Sequence, residues 1–210
     1  MEPYIKIENL SKKIKGTTVL DNINMEFFKG NVYGIRGING SGKTMLFRAI
    51  CGLINPTEGQ ITIDKKILHK DVSFPESIGV LIENPGFLPS YTGRYNLKLL
   101  ADIKNIINYE KIDETLNLVG LDCNDKRKYK QYSLGMKQKL GIAQALMEEP
   151  ELILLDEPTN ALDEKSVENI LSIIEKEKAK GKLILIASHD KLILEQICDE
   201  IINIENGRII

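Results

Sequence analysis

The chain has 210 residues, of which 42% are hydrophobic and 28% charged, and its formal net charge at pH 7 is −2. This length and composition predict one compact globular domain with a sizeable core, and the near-neutral charge argues against direct nucleic-acid binding. Its three cysteines, Cys51, Cys123 and Cys198, are far apart and lack CxxC spacing, which argues against a zinc site or a disulfide framework.

The sequence shows no targeting or membrane segment of a familiar kind. Residues 1–6 lack the apolar stretch of a signal peptide, and no uninterrupted apolar run approaches the roughly 20 residues of a membrane helix. We therefore expect a cytoplasmic protein in a reducing compartment. It would reach the inner face of the cell membrane only through a partner.

Two strands are predicted near the N-terminus. Residues 4–8 alternate apolar and polar side chains, as in a strand with one buried face. Residues 19–28 form a second strand region, which follows a lysine-rich turn. Together they predict an N-terminal antiparallel β region.

A glycine-rich stretch follows, with the phosphate-binding pattern G-x-x-x-x-G-K-[ST]. It lies between a predicted buried strand at 31–36 and a predicted helix with an apolar stripe at 45–51. A glycine-rich turn that contains Gly-Lys-Thr by chance is the alternative, and both flanking elements argue against it. The residues of the pattern are Gly37, Ile38, Asn39, Gly40, Ser41, Gly42, Lys43 and Thr44.

The chemistry of this stretch is that of a nucleotide site. Glycines let successive backbone N–H groups approach an anion, and the N-terminus of the following helix adds to that positive field. Lys43 supplies a full charge for the terminal phosphates, and the Thr44 hydroxyl is placed to ligate Mg²⁺. We expect the base of the nucleotide to lie against the early strands.

The next part of the chain predicts two strands. Residues 60–64 alternate in character, whereas residues 77–82 form a nearly continuous apolar run, typical of a central parallel strand. The Glu-Asn-Pro-Gly sequence at 83–86 ends this pattern.

Helical periodicity then replaces the strand pattern. Apolar stripes at 96–103 and 112–119 predict two helices, and a third helix is predicted from Ser133 to Met147. The charged residues 125–130 before it are predicted to form a solvated loop.

Strands and helices alternate again after residue 149. A buried strand at 152–155 precedes Asp156 and Glu157, and a second one at 183–187 precedes His189. An amphipathic helix at 166–180 separates these strands, and a short helix and two short strands end the chain.

The predicted fold class is α/β, with a P-loop NTPase core and a mostly parallel sheet. Residues 1–83 and 149–210 are assigned to the core, and residues 84–148, approximately, to an inserted helical subdomain of the same domain. The N-terminal antiparallel β region belongs to the core.

The acidic pair after the first late strand fits the phosphate loop chemically. Strands of a parallel sheet present ligand-binding groups at their C-terminal ends. Asp156 can complete Mg²⁺ ligation begun by Thr44, and Glu157 can polarise an attacking water. His189 is a candidate contact for a terminal phosphate or that water, and the alternative is a strand-end histidine bonded to backbone.

The start of the third predicted helix carries a further candidate site. Ser133 is a good N-cap residue, and Gly135 leaves the helix start open to close approach by an anion. By itself this is a capped helix. Its position between the two nucleotide motifs makes this helix start a specific signal.

Together these residues resemble the ATP-binding subunits of ABC transporters over nearly the whole chain. Residues 37–44 match the Walker A loop and residues 152–157 match Walker B with its catalytic glutamate. Residues 160–163 look like the D-loop, His189 falls at the switch histidine, and residues 133–138 occupy the signature position.

The resemblance implies a Mg²⁺-dependent ATPase that works with separate transmembrane permease subunits. It further implies a head-to-tail dimer of two copies, in which Ser133 and Gly135 contact the ATP held mainly by the partner. Lys43, Glu157 and His189 then take the catalytic roles.

Several residues depart from the family pattern. The signature is usually Leu-Ser-Gly-Gly-Gln, whereas here Tyr132, Leu134 and Met136 replace the first Leu, the first Gly and the Gln. The aromatic residue that stacks on adenine is expected near Ile14, which has no ring. Either base stacking is then weakened, or Tyr4 or another group substitutes for that residue.

Glu83 stands where the family normally has Gln. A carboxylate is a stronger Mg²⁺ ligand than an amide, so we expect altered divalent-ion dependence with hydrolysis retained. With its neighbours at 81–87 and the signature segment, Glu83 is similar to exporters for bacitracin and lantibiotic self-protection. This similarity favours export, of a peptide antibiotic or a lipid-like substrate.

Two other function classes are weighed against transport. A non-transport ABC ATPase could act as a conformational clamp on a ribosome or nucleic-acid complex, but ribosomal members carry two such domains and DNA-associated members a long coiled coil. A P-loop GTPase or small-molecule kinase has no support from an Asn-Lys-x-Asp motif and leaves the signature helix unexplained.

Overall fold

The computed structural model describes residues 2–83 and 85–210. Asn84, which the sequence places in the turn after the 77–82 run, lies outside the described residues. The strands are β1 (Ile5–Ile14), β2 (Thr17–Phe27), β3 (Val32–Arg36), β4 (Glu58–Ile63), β5 (Lys66–Ile67), β6 (Ile78–Leu81), β7 (Leu152–Asp156), β8 (Leu183–Ser188), β9 (Glu200–Glu205) and β10 (Arg208–Ile209). The helices are α1 (Lys43–Ile50), α2 (Gly93–Lys104), α3 (Tyr109–Leu118), a 3₁₀ turn (Tyr129–Gln131), α4 (Leu134–Leu146), α5 (Glu164–Ala179) and α6 (Lys191–Ile197).

The strands form two sheets. A four-stranded antiparallel sheet has the order β2-β1-β4-β5, which confirms the predicted N-terminal β region. A six-stranded sheet has the order β10-β9-β3-β8-β7-β6, in which all pairings are parallel except that of β10 with β9. The α/β fold class predicted from the sequence is confirmed.

The inner strands β7 and β8 of the larger sheet are buried on both faces, and their sequences show why. In β7, Leu152 and Leu154 face a core shared with the smaller sheet and α1, whereas Ile153 and Leu155 face a core shared with the later helices. Alternate residues of β8 divide between the same two cores. Because both faces are covered, these strands are continuous apolar runs rather than alternating ones.

The strand predicted as central, β6, is parallel but lies at the edge of the sheet. Its position within the sheet was therefore predicted wrongly. Helix α4 covers it closely, because a Cβ on Gly79 would fall 1.7 Å from the Ala145 carbonyl oxygen. An edge strand that is covered by a helix has the same continuous apolar sequence as a strand that lies between two others.

The segment 125–130 is only partly the solvated loop that its charges predict. Lys126, Lys128 and Lys130 are exposed, but Tyr129 is buried in the 3₁₀ turn. The Tyr129 hydroxyl donates to the Pro85 carbonyl oxygen at 2.6 Å. The turn thus fastens the segment before α4 to the chain that follows β6.

Three helices of the middle region begin with a side-chain cap, of which the sequence predicted the one at Ser133. Thr92 caps α2, Asn108 caps α3 and Ser133 caps α4, each accepting a backbone N–H in the first turn. None of the helices in the described residues is long and apolar enough to cross a membrane.

Candidate functional site

The glycine-rich stretch forms the loop from β3 into α1, and its glycines are required by a left-handed backbone or by close contacts. Gly42 is the N-cap of α1 with φ 116°, and Gly40 has φ 82°. A Cβ on Gly37 would lie 2.3 Å from Ser41 Oγ and 2.4 Å from the Ile204 carbonyl oxygen. Ser41 Oγ is buried and, within the described chain, has no hydrogen-bond partner. This hydroxyl is therefore available to bind a ligand.

Lys43 is folded back over this loop. Its side chain is buried, and Nζ donates to the carbonyl oxygens of Gly37 at 2.7 Å and Ile38 at 3.2 Å. Nζ also lies 3.9 Å from Glu157 Oε1. The ammonium is therefore held at the mouth of the loop, where an incoming phosphate would exchange for the two carbonyl groups.

Thr44 and Asp156 meet across the site, as the sequence predicts for the ends of neighbouring elements. Thr44 Oγ1 donates to Asp156 Oδ2 at 2.7 Å. Asp156 is 6% exposed, and burial raises the pKa of its carboxyl, with the nearby charges of Glu157 and Glu83 acting in the same direction. The Thr44 hydrogen bond and Lys43 oppose that rise in pKa.

This oxygen pair fits a magnesium ion. Mg²⁺ prefers hard oxygen ligands and retains waters and phosphate oxygens, so it needs only one or two protein groups. A desolvated carboxylate beside a hydroxyl supplies such groups. No cluster of three or more His, Cys, Asp or Glu that could hold a metal ion occurs in residues 2–83 and 85–210.

Glu157 is fixed by the end of the neighbouring strand. It has φ 49°. Its Oε2 accepts from Ser188 Oγ at 3.0 Å, and Oε1 accepts from the His189 backbone N–H at 3.1 Å and lies 2.8 Å from His189 Nδ1. The His189 side chain is 55% exposed and contacts the Glu157 carboxylate, not only backbone. The C-terminal ends of β7 and β8 thus place base and histidine candidates together.

A cavity of about 790 Å³ opens over the phosphate loop and the two acids, and His189 is not among its lining residues. Lys43, Thr44, Asp156 and Glu157 line it, together with Glu83. Sequence reasoning missed Gln138 and Asn160 in its wall, and it also missed five residues at the far end, Thr17, Thr18, Val19, Asn206 and Gly207. Among these residues, only Asn206 and Gly207 have a local sequence signal, that of an Asn-Gly turn. Nothing in the sequence places this turn beside the phosphate loop.

Ser133 and Gly135 lie outside this cavity, as far as the described lining shows. The Ser133 hydroxyl accepts from the Met136 N–H at 3.1 Å. A Cβ on Gly135 would lie 2.8 Å from the Ala161 carbonyl oxygen, so the start of α4 packs on the 160–163 segment. Gln138, one turn on, donates to the Glu157 carbonyl oxygen at 2.9 Å and connects α4 to the site.

Glu83 borders the cavity with an unexpected partner. Its Oε1 lies 2.8 Å from Arg48 Nη2, and its side chain is 57% exposed. Glu83 has φ 56°, a left-handed conformation at the end of the β6 segment. Arg48 was not among the residues that the sequence singled out, although it lies in the helix after the phosphate loop.

Comparison with known proteins identifies the family. The family model described as ABC transporter matches residues 20–160. The ABC transporter ATP-binding protein YybJ of Bacillus subtilis is 51% identical over 98% of this chain and 94% of that protein. The bacitracin transport ATP-binding protein BcrA of Enterococcus faecalis is 39% identical over 100% of this chain and 69% of that protein. The lantibiotic transport ATP-binding protein SrtF of Streptococcus pyogenes is also 39% identical, over 98% and 89%.

Solved structures agree with these relatives. A dimeric ATP-binding cassette described as a post-hydrolysis state with ADP and Pi superposes with a TM-score of 0.88, at 26% identity over 98% of this chain and 96% of that chain. The ABC ATPase architecture is therefore confirmed, and a clamp outside transport is not favoured. The chain belongs to the ABC transporter family, as an ATP-binding subunit that hydrolyses ATP to power transport.

Proposed function

We propose that the 790 Å³ cavity binds ATP together with Mg²⁺, and that hydrolysis there drives export through separate transmembrane permease subunits. One observation carries this proposal. The ammonium of Lys43, the Thr44–Asp156 oxygen pair and the Glu157 carboxylate line a single cavity at the phosphate loop. Phosphoryl transfer needs positive charge, a metal ligand set and a positioned base in such an arrangement.

Lys43 and the loop at 37–44 bind the phosphates. Backbone N–H groups of the loop and of the first turn of α1 supply partial positive charge, and Lys43 supplies a full charge. Because Lys43 is already at the loop mouth, it needs only to exchange carbonyl partners for phosphate oxygens. Thr44 and Asp156 are the proposed metal ligands, with Glu83 as an additional carboxylate nearby, and the ion neutralises phosphate charge when bound.

Glu157 is the proposed general base. Ser188 and the His189 backbone hold its two oxygens in place, so the carboxylate is oriented before substrate arrives. The His189 ring contacts the same carboxylate and is exposed enough to reach a terminal phosphate or the attacking water. These contacts make His189 the proposed third catalytic group, with Lys43 and Glu157.

Two copies of the chain are proposed to assemble head to tail on ATP. Ser133 and Gly135 lie at the N-terminal end of α4, whose free N–H groups favour an anion, yet they lie outside the cavity of their own copy. The neighbouring Leu134 side chain is 71% exposed, so this end of α4 is open to a second molecule. Each ATP would then lie between one cavity and the partner's α4.

Residues 84–148 are the proposed helical subdomain, and 1–83 with 149–210 the core of one ABC ATPase domain. Helices α2, α3 and α4 follow one another in this insert between β6 and β7. Because Glu83 borders the cavity at the first boundary, this junction is suited to pass the ATP cycle to a permease. The subunit would then reside in the cytoplasm, at the inner face of the membrane through that partner.

The cargo proposal rests on the relatives alone. BcrA and SrtF are named for bacitracin and lantibiotic transport, and they align with nearly the whole of this chain. A peptide antibiotic or a lipid-like molecule is therefore the proposed substrate class, with export as the direction.

Replacing Glu157 by Gln tests the catalytic proposal. The amide keeps size and hydrogen-bonding ability but is not a base, so ATP hydrolysis should fall about 10²- to 10⁴-fold while ATP affinity is kept. An ATP-bound dimer should accumulate and be visible by size-exclusion chromatography with multi-angle light scattering.

Glu110→Gln, at an exposed position in α3, is the matched control and should hydrolyse ATP at the normal rate. Normal turnover of the Glu157→Gln protein would remove Glu157 from the role of base.

A further inference from the structure

The nucleotide cavity has a second end, opposite the phosphate loop in chemical character. It is lined by Thr17, Thr18 and Val19 of β2 and by Asn206 and Gly207 of the turn between β9 and β10. If the triphosphate occupies the loop, as the proposed function requires, then the ribose and base must extend toward this end. A base-binding role for this end therefore rests on the proposed function.

Ring stacking is not provided by the described lining of this cavity. None of its lining side chains in residues 2–83 and 85–210 is aromatic. Ile14, paired with Thr17 across the β1–β2 hairpin, is 39% exposed and does not join the lining. The base must therefore be recognised by hydrogen bonds and side-chain contact rather than by a π-face.

The β9–β10 turn is fastened to both walls of the cavity. The Gly207 N–H donates to the Ser41 carbonyl oxygen at 2.8 Å, and the Gly207 carbonyl accepts from the Asp21 N–H at 2.8 Å. A Cβ on Gly207 would lie 2.6 Å from the Val19 carbonyl oxygen. Arg208 adds two hydrogen bonds to Asp21 Oδ2, at 2.6 and 2.8 Å.

These contacts fix the backbone on both sides of Asn206 between the phosphate loop and β2. Asn206 itself has φ 47°, a conformation that Asn tolerates better than most residues. Asn206 is exposed and lines the cavity from this anchored turn. A polar group held in this way is pre-organised for recognition.

We propose that the Asn206 side-chain amide reads the base edge of the bound nucleotide and so sets base preference. An amide offers both a donor and an acceptor, which matches the amino group and ring nitrogen of adenine. A carboxylate at the same place would only accept hydrogen bonds. It would match the adjacent N–H donors of guanine and could pair with adenine through one group only.

The test compares ATP, GTP and inorganic triphosphate in competition against a ribose-labelled fluorescent ATP analogue. Asn206→Asp should lower the ATP-to-GTP affinity ratio by about tenfold or more, the scale of one bidentate base contact. Inorganic triphosphate has no base, so its affinity reports only the added charge. Dividing by it removes that charge effect from the ATP and GTP values.

Asn105→Asp is the matched control, because Asn105 also has a left-handed backbone, with φ 54°, and lies at the end of α2 away from the cavity lining. It should leave the affinity ratio unchanged. Asn206→Gly keeps the turn conformation and removes the amide, and it should bring the ATP and GTP affinities closer together.

An unchanged ratio in both Asn206 variants would overturn the proposal. Failure of the unaltered protein to bind either ATP or inorganic triphosphate would instead count against the nucleotide site itself.

Discussion

At the level of single residues, the buried charge of Asp156 lowers the stability of the nucleotide-free protein. It is buried, and its immediate neighbours include a second carboxylate, Glu157, and only one ammonium, Lys43. Desolvation therefore raises the pKa of the Asp156 carboxyl and disfavours its charged form. Functional sites often retain such a cost, because a bound cation relieves it.

Asp156→Asn should stabilise the nucleotide-free protein at neutral pH. Since the folded-state pKa lies above the unfolded value, the cost is present at high pH and disappears as pH falls below the ordinary pKa of an aspartate. We expect the melting temperature to rise by about 2–4 °C at pH 7.5, the shift that about 1 kcal/mol gives in a domain of this size. The gain should shrink as the pH is lowered toward the ordinary pKa of an aspartate.

Scanning calorimetry across that pH range measures this gain. Asp102→Asn, at an exposed site in α2, should show no comparable pH-dependent rise. The Asp156 variant should also lose the extra stabilisation that Mg²⁺ with ATP gives the unaltered protein. A lower melting temperature at pH 7.5 would show that the buried carboxylate is not a net cost.

Glu83 raises a different question, because its negative charge is shared between the cavity and Arg48. Glu83→Gln removes a cation-attracting charge while the new amide oxygen can still accept from Arg48. The Mg²⁺ concentration for half-maximal ATP hydrolysis should rise about two- to tenfold, as expected for about 1 kcal/mol of charge interaction, with hydrolysis retained.

Arg48→Gln releases Glu83 from its partner and should move the same Mg²⁺ midpoint downward. The two variants are measured by steady-state hydrolysis over a Mg²⁺ titration at fixed ATP. Superimposable titration curves for all three proteins would exclude a role for Glu83 in ion dependence.

At the level of elements, α4 contacts three separate segments at or next to the site. Its first turn packs on Ala161, its second holds the backbone of Glu157 through Gln138, and its last covers β6 at Gly79. The strand that ends before Glu83 and the strand that ends at Asp156 are paired with each other. Movement of α4 would therefore act on the acidic residues at the ends of both strands.

The sequence predicts these elements better than it predicts their arrangement. Motif spacing and strand–helix alternation identify the phosphate loop, the two acids at the end of β7 and the cap of α4, because each depends on local chemistry. The sequence does not distinguish an edge strand from a central strand here, because α4 buries β6 as another strand would. The Arg48–Glu83 pair and the Asn206 turn depend on contacts between segments far apart in the chain, for which a single sequence contains no local signal.

At the level of the whole molecule, the location of Ser133 decides whether one copy of the chain is enough to form a complete ATP site. Its hydroxyl caps α4 in its own copy, while its proposed phosphate contact belongs to the partner. Ser133→Asp separates these roles, because Asp caps a helix as well as Ser does. The fold should persist, whereas the new charge should repel the partner's triphosphate and prevent ATP-driven dimerisation.

A mixing experiment then tests the head-to-tail arrangement. Ser133→Asp and Lys43→Ala proteins should each be nearly inactive alone. In a mixed dimer, the Lys43 of one copy faces the Ser133 of the other, so one of the two sites is intact and the other carries both defects. Since neither variant should form an ATP-driven dimer by itself, the dimers in the mixture are mixed ones with one intact site of two. Hydrolysis should therefore recover to at most about half of the normal rate under two-fold symmetry.

Recovery in the mixture depends on the two residues acting from different copies. If Ser133 served the cavity of its own chain, every copy in the mixture would hold a damaged site and no pairing could restore one. Steady-state hydrolysis against mixing ratio, with light scattering in the presence of ATP, measures both activity and assembly. The recovered rate should be highest at equal amounts and fall toward either pure variant, and a flat, inactive profile from two folded variants would rule out the shared site.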